Sequence, residues 1–185
     1  MGRVSQAQAE ENRRRVVETA SRLFRERGTQ VSVADVMAAA GLTHGAFYKQ
    51  FASKEALVDE VTAHAFAELA RRHGAEREGG EGRRAAQQSL IDDYLSVEHR
   101  DAPADGCPVA GLATDIARDG GGREARRVYT EGVAEFADFL AGPDQDGIAR
   151  LCTLFGALVL SRATKGFPLS EEILAAAHAA LAETD

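Results

Sequence analysis

GLTHGAFYKQFASKEAL, residues 41–57, decides how the rest of this chain is read. It crowds two lysines, a histidine, a tyrosine and two phenylalanines around glycine and helix-capping residues, in a chain of net charge −7. Thr43 reads as the cap of a short helix running through Gln50, and Ser53 as the cap of the next. Gly45, in the first turn of the shorter helix, costs about 1 kcal/mol relative to alanine. Close approach of the backbone to a partner would offset that cost. Lys54 breaks a second local rule, because a cation in the first turn opposes the helix macrodipole. A phosphate bound at that N-terminus would satisfy both the free amide groups and Lys54. Phe47 and Phe51, four residues apart, are expected to pack inward against Leu23 and Val36, leaving Tyr48 and Lys49 outward to meet phosphate oxygens. Thr43 and His44, at the helix tip, are best placed to touch base edges.

Upstream, Val16, Val17, Ala20, Leu23 and Phe24 follow the spacing of a helix with one buried face, from about Glu10 to Arg27, closed at Gly28. Ser32 and Asp35 form a capping box for a short helix that carries Val33, Val36 and Met37 inward and stops at Gly41. The helix capped by Ser53 runs to about His73, burying Leu57, Val61, Phe66 and Leu69. Two short helices joined across AAAGLT have the size and turn of a helix-turn-helix.

Charge supports an anionic partner for this head. Residues 1–55 hold nine Lys/Arg against six Asp/Glu, or +3, while the remaining 130 hold thirteen against twenty-three, or −10. Downstream, glycine and proline punctuate the chain at 76–83, 101–108, 119–122, 141–147 and 165–170, with apolar-faced helices between. The expected fold is all-α, about nine helices, with no internal repeat. IARLCTLFGALVLSRATKG is apolar nearly all round, and the last helix is lined with alanines, which together suggest self-association through Leu151, Phe155, Leu158, Ile173, Ala177 and Leu181.

No apolar run approaches the roughly 18 residues of a membrane span, and the N-terminus lacks a signal-peptide core, so a cytoplasmic protein without membrane contact is expected. Cys107 and Cys152 have no metal-ligand spacing and read as free thiols, the second inside an apolar core helix. The Glu-x-x-His pattern of a helical di-metal site is missing, as are phosphate-binding glycine loops and nucleophile–base sets. These absences argue against an enzyme and imply no metal or cofactor. A helical interaction protein without DNA binding would explain the apolar C-terminal pair but not Gly45 and Lys54.

The run from Phe24 through Leu57, with Gly28, Ser32-Val33, Val36, Ala40-Gly41-Leu42, Gly45, Phe47-Tyr48, Phe51 and Ser53-Lys54-Glu55-Ala56-Leu57, closely resembles the DNA-binding domain of tetracycline-repressor-type (TetR) regulators. The resemblance implies a helix-turn-helix domain over 1–52 and a ligand-binding and dimerisation domain over 53–185. It implies a repressor that binds palindromic operator DNA as a homodimer and is released by a small-molecule effector. Carried over by position, it implies phosphate contacts for Ser32, Tyr48 and Lys54, and base or groove contacts for Thr43, His44, Gly45 and Lys49. Met37 departs from the usual small alanine, and His44 from a basic residue or proline. GCPVAGLATDIAR at 106–118 and GALVLSRATKGFPLSEEIL at 156–174 resemble the C-terminal domain of one branch of these regulators. The ligand cavity of the family lies among the middle helices, making Phe66, Tyr94, Cys107, Leu112, Tyr129, Phe136 and Phe155 candidate ligand-binding residues. Cys107 precedes Pro108 at a helix N-terminus, where a thiolate is favoured, so an electrophile- or oxidant-sensing repressor is the alternative.

Overall fold

The computed structural model describes residues 6–74, 80–118, 121–142 and 145–182, and these residues form an all-α fold. The punctuation expected at 76–83, 119–122 and 141–147 lies partly outside them. Nine α-helices occur among the described residues: α1 (Gln6–Arg27), α2 (Val33–Ala39), α3 (Lys54–Gly74), α4 (Gly80–Tyr94), α5 (Val97–Asp101), α6 (Pro108–Ala117), α7 (Arg123–Leu140), α8 (Gly147–Ala163) and α9 (Pro168–Ala182). Two 3₁₀ helices, His44–Lys49 and Pro103–Asp105, complete them.

The count of nine is reached by a different set than the sequence pattern gives. The helix expected from Thr43 through Gln50 is a 3₁₀ helix over His44–Lys49, and Thr43 makes no side-chain cap hydrogen bond. Glycine, a poor α-former, in the first turn and a Thr43 that makes no side-chain cap favour the tighter 3₁₀ turn over α winding. The short α5 was not separable from its neighbours by pattern. α1 begins four residues earlier than expected, at Gln6.

The head packs around Phe24, Met37, Phe47 and Leu57, all fully buried. Burial of each such side chain contributes about 1.5–3 kcal/mol. Phe47 stacks on Phe51 at 5.3 Å, and Val36 and Leu23 join the same cluster. Gly28 and Gly41, at φ +81° and +70°, end α1 and α2 in the left-handed region that suits glycine. The head core is closed from outside the expected 1–52 segment, by Val58 and Val61 of α3, Leu112 and Ile116 of α6 and Ala125 of α7.

In the body, α7 packs between α3 and α8, and α8 lies against α9. Gly132 lets α7 approach α3, since a Cβ there would sit 2.0 Å from Phe66 Cδ1. The carbonyls that end α5 are claimed by Arg162 of α8, which donates to His99 O at 3.1 Å and Arg100 O at 3.0 Å. Arg100 donates to Ser170 Oγ at 2.8 Å, and that hydroxyl donates on to Ser161 O. This buried polar chain fixes α5 against α8 and α9. No helix among the described residues is long and apolar enough to cross a membrane.

Candidate nucleic-acid interface and ligand cavity

The head turns one polar face outward. Ser32 caps α2, accepting from Asp35 N at 3.1 Å while its hydroxyl donates to Asp35 Oδ2 at 2.6 Å. Thr43, His44, Gly45, Tyr48 and Lys49 are all exposed, Tyr48 by 65%. Space around Gly45 is open: a Cβ there would meet nothing within 4 Å. Its glycine therefore answers no packing demand inside the chain. Tyr48 stands on its edge over Phe47 at 5.1 Å and against His44 at 5.9 Å, which presents the phenol to solvent from a rigid base. Ser53 caps α3 by accepting from Ala56 N at 3.1 Å, and Lys54 is the first residue of that helix. Neither Lys49 nor Lys54 forms an ion pair among the described residues, so both cations remain available to an anion.

A clamp not foreseen from sequence holds this face in place. Arg13 of α1 donates to Gln50 O and pairs with Glu60 of α3, while its guanidinium lies 4.4 Å above the Phe51 ring. It thus ties the C-terminal end of the 3₁₀ helix to α1 and α3 together. Arg14 and Arg15, its neighbours in sequence, instead bond within α1, to Glu11 and Asn12.

The body contains a cavity of about 300 Å³ bounded by α3, α4, α5, α7 and the turn at 105–107. Leu69, Ala86, Leu90 and Phe136 give it apolar walls, with Tyr94, His99 and Cys107 on one side and Arg72, Asp93 and Asp105 around it. His99 Nε2 accepts the Cys107 N–H at 3.3 Å, which places the ring proton on Nδ1, donated to Tyr94 O at 2.7 Å. Burial holds His99 below the usual imidazole range, and it raises both the Tyr94 phenol and the Cys107 thiol. All three are therefore neutral near pH 7.

Head and body are joined along α1. Asp115 of α6 accepts from Thr29 N at 2.9 Å, just beyond Gly28. Arg22 pairs with Asp105, and the buried Arg25 donates to Gly106 O at 3.1 Å.

Residues 16–61 match the family model for bacterial regulatory proteins of the tetR family. The head is a tetR-family domain. Solved structures extend the likeness of fold over the whole chain. A TetR transcriptional regulator from Chloroflexus aurantiacus is 21% identical with a TM-score of 0.72, over 96% of each chain. A TetR-family regulator from Agrobacterium tumefaciens is 15% identical with a TM-score of 0.76, over 95% of this chain and 98% of its own. AibR, solved in complex with isovaleryl coenzyme A and operator DNA, is 15% identical with a TM-score of 0.62, over 90% of this chain and 96% of its own. No curated protein matches the chain.

The tetR-type fold separates the residues singled out from sequence. Of the seven ligand candidates, Tyr94, Cys107 and Phe136 line the cavity. Phe66 borders a minor crevice beside Gly132. Leu112 belongs to the head core, Tyr129 is tied by its hydroxyl to Val109 O at 2.8 Å, and Phe155 lies half-buried on α8. Among the six dimerisation candidates, Leu151, Leu158, Ala177 and Leu181 are buried inside the chain, where α8 meets α9 and the rest of the body. Only Phe155 and Ile173 retain surface to offer a partner. Cys152 is exposed, not core, because α8 turns its Leu151–Leu154–Leu158 side inward. Cys107 is a buried thiol, and desolvation outweighs the helix N-terminus that would favour its thiolate.

Proposed function

We propose that this chain is a ligand-responsive transcriptional repressor that binds palindromic operator DNA as a homodimer. The observation that carries the reading is the open space at Gly45, flanked by exposed Thr43, His44, Tyr48 and Lys49 and by the unpaired Lys54. Such a surface suits a duplex: small residues at the helix tip let the backbone approach, and cations and hydroxyls beside it meet phosphates. Ser32, Tyr48 and Lys54 serve as phosphate contacts, and Thr43, His44, Gly45 and Lys49 as groove contacts. AibR, of the same fold, was solved on operator DNA, which supports this use of the head.

Dimerisation in this reading uses surface that the protomer leaves uncovered. Ile148, Cys152, Phe155 and Val159 recur at i, i+4, i+7 and i+11 along α8, and Leu169, Ile173, Ala176 and Ala180 do the same along α9. The stripes suit isologous helix packing. Release follows when the cavity ligand favours the arrangement that does not bind DNA. A coupling of about 1–3 kcal/mol weakens operator binding roughly 5- to 150-fold.

The test is fluorescence anisotropy against the intergenic DNA beside its own gene, as a function of salt. Lys54→Ala should lower the salt slope by about 0.9, the value for one phosphate no longer neutralised, and weaken binding to all sequences alike. Gly45→Leu should fold normally, the space being open, yet lose binding. A helical interaction protein that does not bind DNA would show neither effect, and tight operator binding by Gly45→Leu would refute the approach of this helix tip.

A further inference from the structure

We propose that Arg123, the first residue of α7, is a phosphate contact contributed by the body, so that the DNA-binding surface continues from Lys54 on α3 across to α7. The inference rests on the reading of the head as a DNA-binding module and extends it to a part of the chain outside the head.

α3 and α7 run parallel, and their contacts fix the register between them. A Cβ on Gly122 would lie 2.5 Å from Glu55 Oε1, the Ala125 amide donates to Asp59 Oδ1 at 3.0 Å, and Gly132 packs on Phe66. Residue numbers therefore rise together along the two helices, with a nearly constant offset of 66 or 67 positions. Lys54 is level with position 120 or 121. Arg123 stands two or three positions behind that level, about 3–5 Å along the axis at roughly 1.5 Å per residue. Each Cα–Cβ bond of a helix tilts toward the N-terminus, so the Arg123 side chain leans toward the end where Lys54 stands. Packed helix axes are about 8–10 Å apart, which separates the two cations enough to meet different phosphates of one duplex.

Among the described residues nothing uses Arg123: it is exposed and forms no ion pair or side-chain hydrogen bond. The groups around it are engaged elsewhere. Glu124 and Glu131 pair with Arg127, and Arg126 donates to Ile116 O at 2.8 Å. Asp59 accepts the first-turn amide of Ala125, so the surface offers an anion the arginine and not the helix terminus. α3 and α7 both open on a free cation followed by a glutamate, Lys54-Glu55 and Arg123-Glu124, although the macrodipole favours an anion at that end. A phosphate backbone running past both helices supplies the negative charge that the chain itself does not.

Fluorescence anisotropy of the full chain on the intergenic duplex beside its own gene, over a range of salt, tests this. Arg123→Ala should lower the salt slope by about 0.9 per protomer, and by about 1.8 when combined with Lys54→Ala. Arg123→Lys, which keeps the cation, should restore the parent slope. Arg127→Ala removes the same charge one turn further along α7, from a residue already paired, and should leave the slope unchanged. The melting midpoint of Arg123→Ala should match the parent, since no contact within the chain is lost. An unaltered slope in Arg123→Ala, an equal fall in Arg127→Ala, or a lysine variant as low as the alanine one would each overturn the proposal. Binding by the parent with a fall in Lys54→Ala but none in Arg123→Ala refutes only this extension, whereas a parent that binds no DNA refutes the reading of the head and the extension with it.

Discussion

Asp115→Ala should loosen the head from the body by a calculable amount. The Asp115 carboxylate accepts the Thr29 amide at 2.9 Å, and Thr29 is 2% exposed, so little water can replace the missing acceptor. Stranding a buried donor costs about 1–3 kcal/mol. For a chain of this length, each kcal/mol lowers the melting midpoint by roughly 2–4 °C, so a fall of about 2–12 °C is expected. Asp115→Asn retains a carbonyl oxygen for the same amide and loses only the charge, which leaves it more stable than the alanine variant. Gly28→Ala probes the clasp from its other side. Its Cβ would lie 3.0 Å from Asp115 Oδ2, at a φ of +81° that alanine resists. Thermal unfolding followed by circular dichroism at one fixed protein concentration is the assay, since the proposed dimer would make the midpoint depend on concentration. An Asp115→Ala midpoint within about 1 °C of the parent, below the loss calculated for one stranded donor, would refute the reasoning. So would an asparagine variant as unstable as the alanine one.

Two further expectations concern titration and thiols. His99 is held below its ordinary value by burial, so on acidification the unfolded chain takes up that proton first. Its contribution to stability is present above about pH 6.5 and declines below it. His99→Gln should flatten the stability profile between about pH 7 and 5, and an imidazole titrating at or above the ordinary value in NMR would contradict this. With Ellman's reagent, Cys107 should stay silent until the protein is denatured, whereas Cys152 should react in dilute protein and slow as concentration rises and dimers form. Rapid native labelling of Cys107 would contradict its burial.

The head was legible in the sequence because its geometry demands particular residue types. Positive φ at Gly28 and Gly41, the Ser32–Asp35 cap, and inward Phe47 and Phe51 each leave a local signature, and the fold contains all of them. The winding of His44–Lys49 left none. Over six residues, periods of 3.0 and 3.6 drift apart by too little to distinguish. α8 misled for a different reason: with apolar residues nearly all round, the pattern states that the helix is sticky but not which side faces the core. The pattern therefore points Leu151 and Leu158 toward a partner and Cys152 inward, whereas the chain itself buries the two leucines and leaves Cys152 exposed. Arg13, Arg25 and Asp115 act across 37, 81 and 86 residues of sequence, beyond the reach of any local periodicity. The cavity is equally non-local, which is why its walls include Arg72, Ser89 and His99, none of them singled out, beside Tyr94, Cys107 and Phe136.

The stretch 105–107 has two allegiances, and they bear on how the cavity is connected to the exposed face of the head. Asp105, Gly106 and Cys107 line the cavity, while Asp105 and Gly106 are also the residues that α1 grips. Arg25 is the sensitive member of that grip. It is 7% exposed, burial disfavours its charge, and it relies on Ser21 O, Gly106 O and a distant Glu68 at 3.8 Å. Gly111 of α6 closes against it so tightly that a Cβ there would lie 2.9 Å from Arg25 Cγ. Moving the Gly106 carbonyl away would leave a buried cation short of a partner, an expensive state. A displacement of this wall would disturb the hold that Arg22 and Arg25 have on it, and the same helix carries Arg13 and its hold on the 3₁₀ helix. A ligand that fits beside Tyr94 without displacing 105–107 makes the same contacts in both arrangements of the head. Under the proposed function such a ligand would bind without releasing DNA, however high its affinity, because only a difference in affinity between the two arrangements can shift their populations.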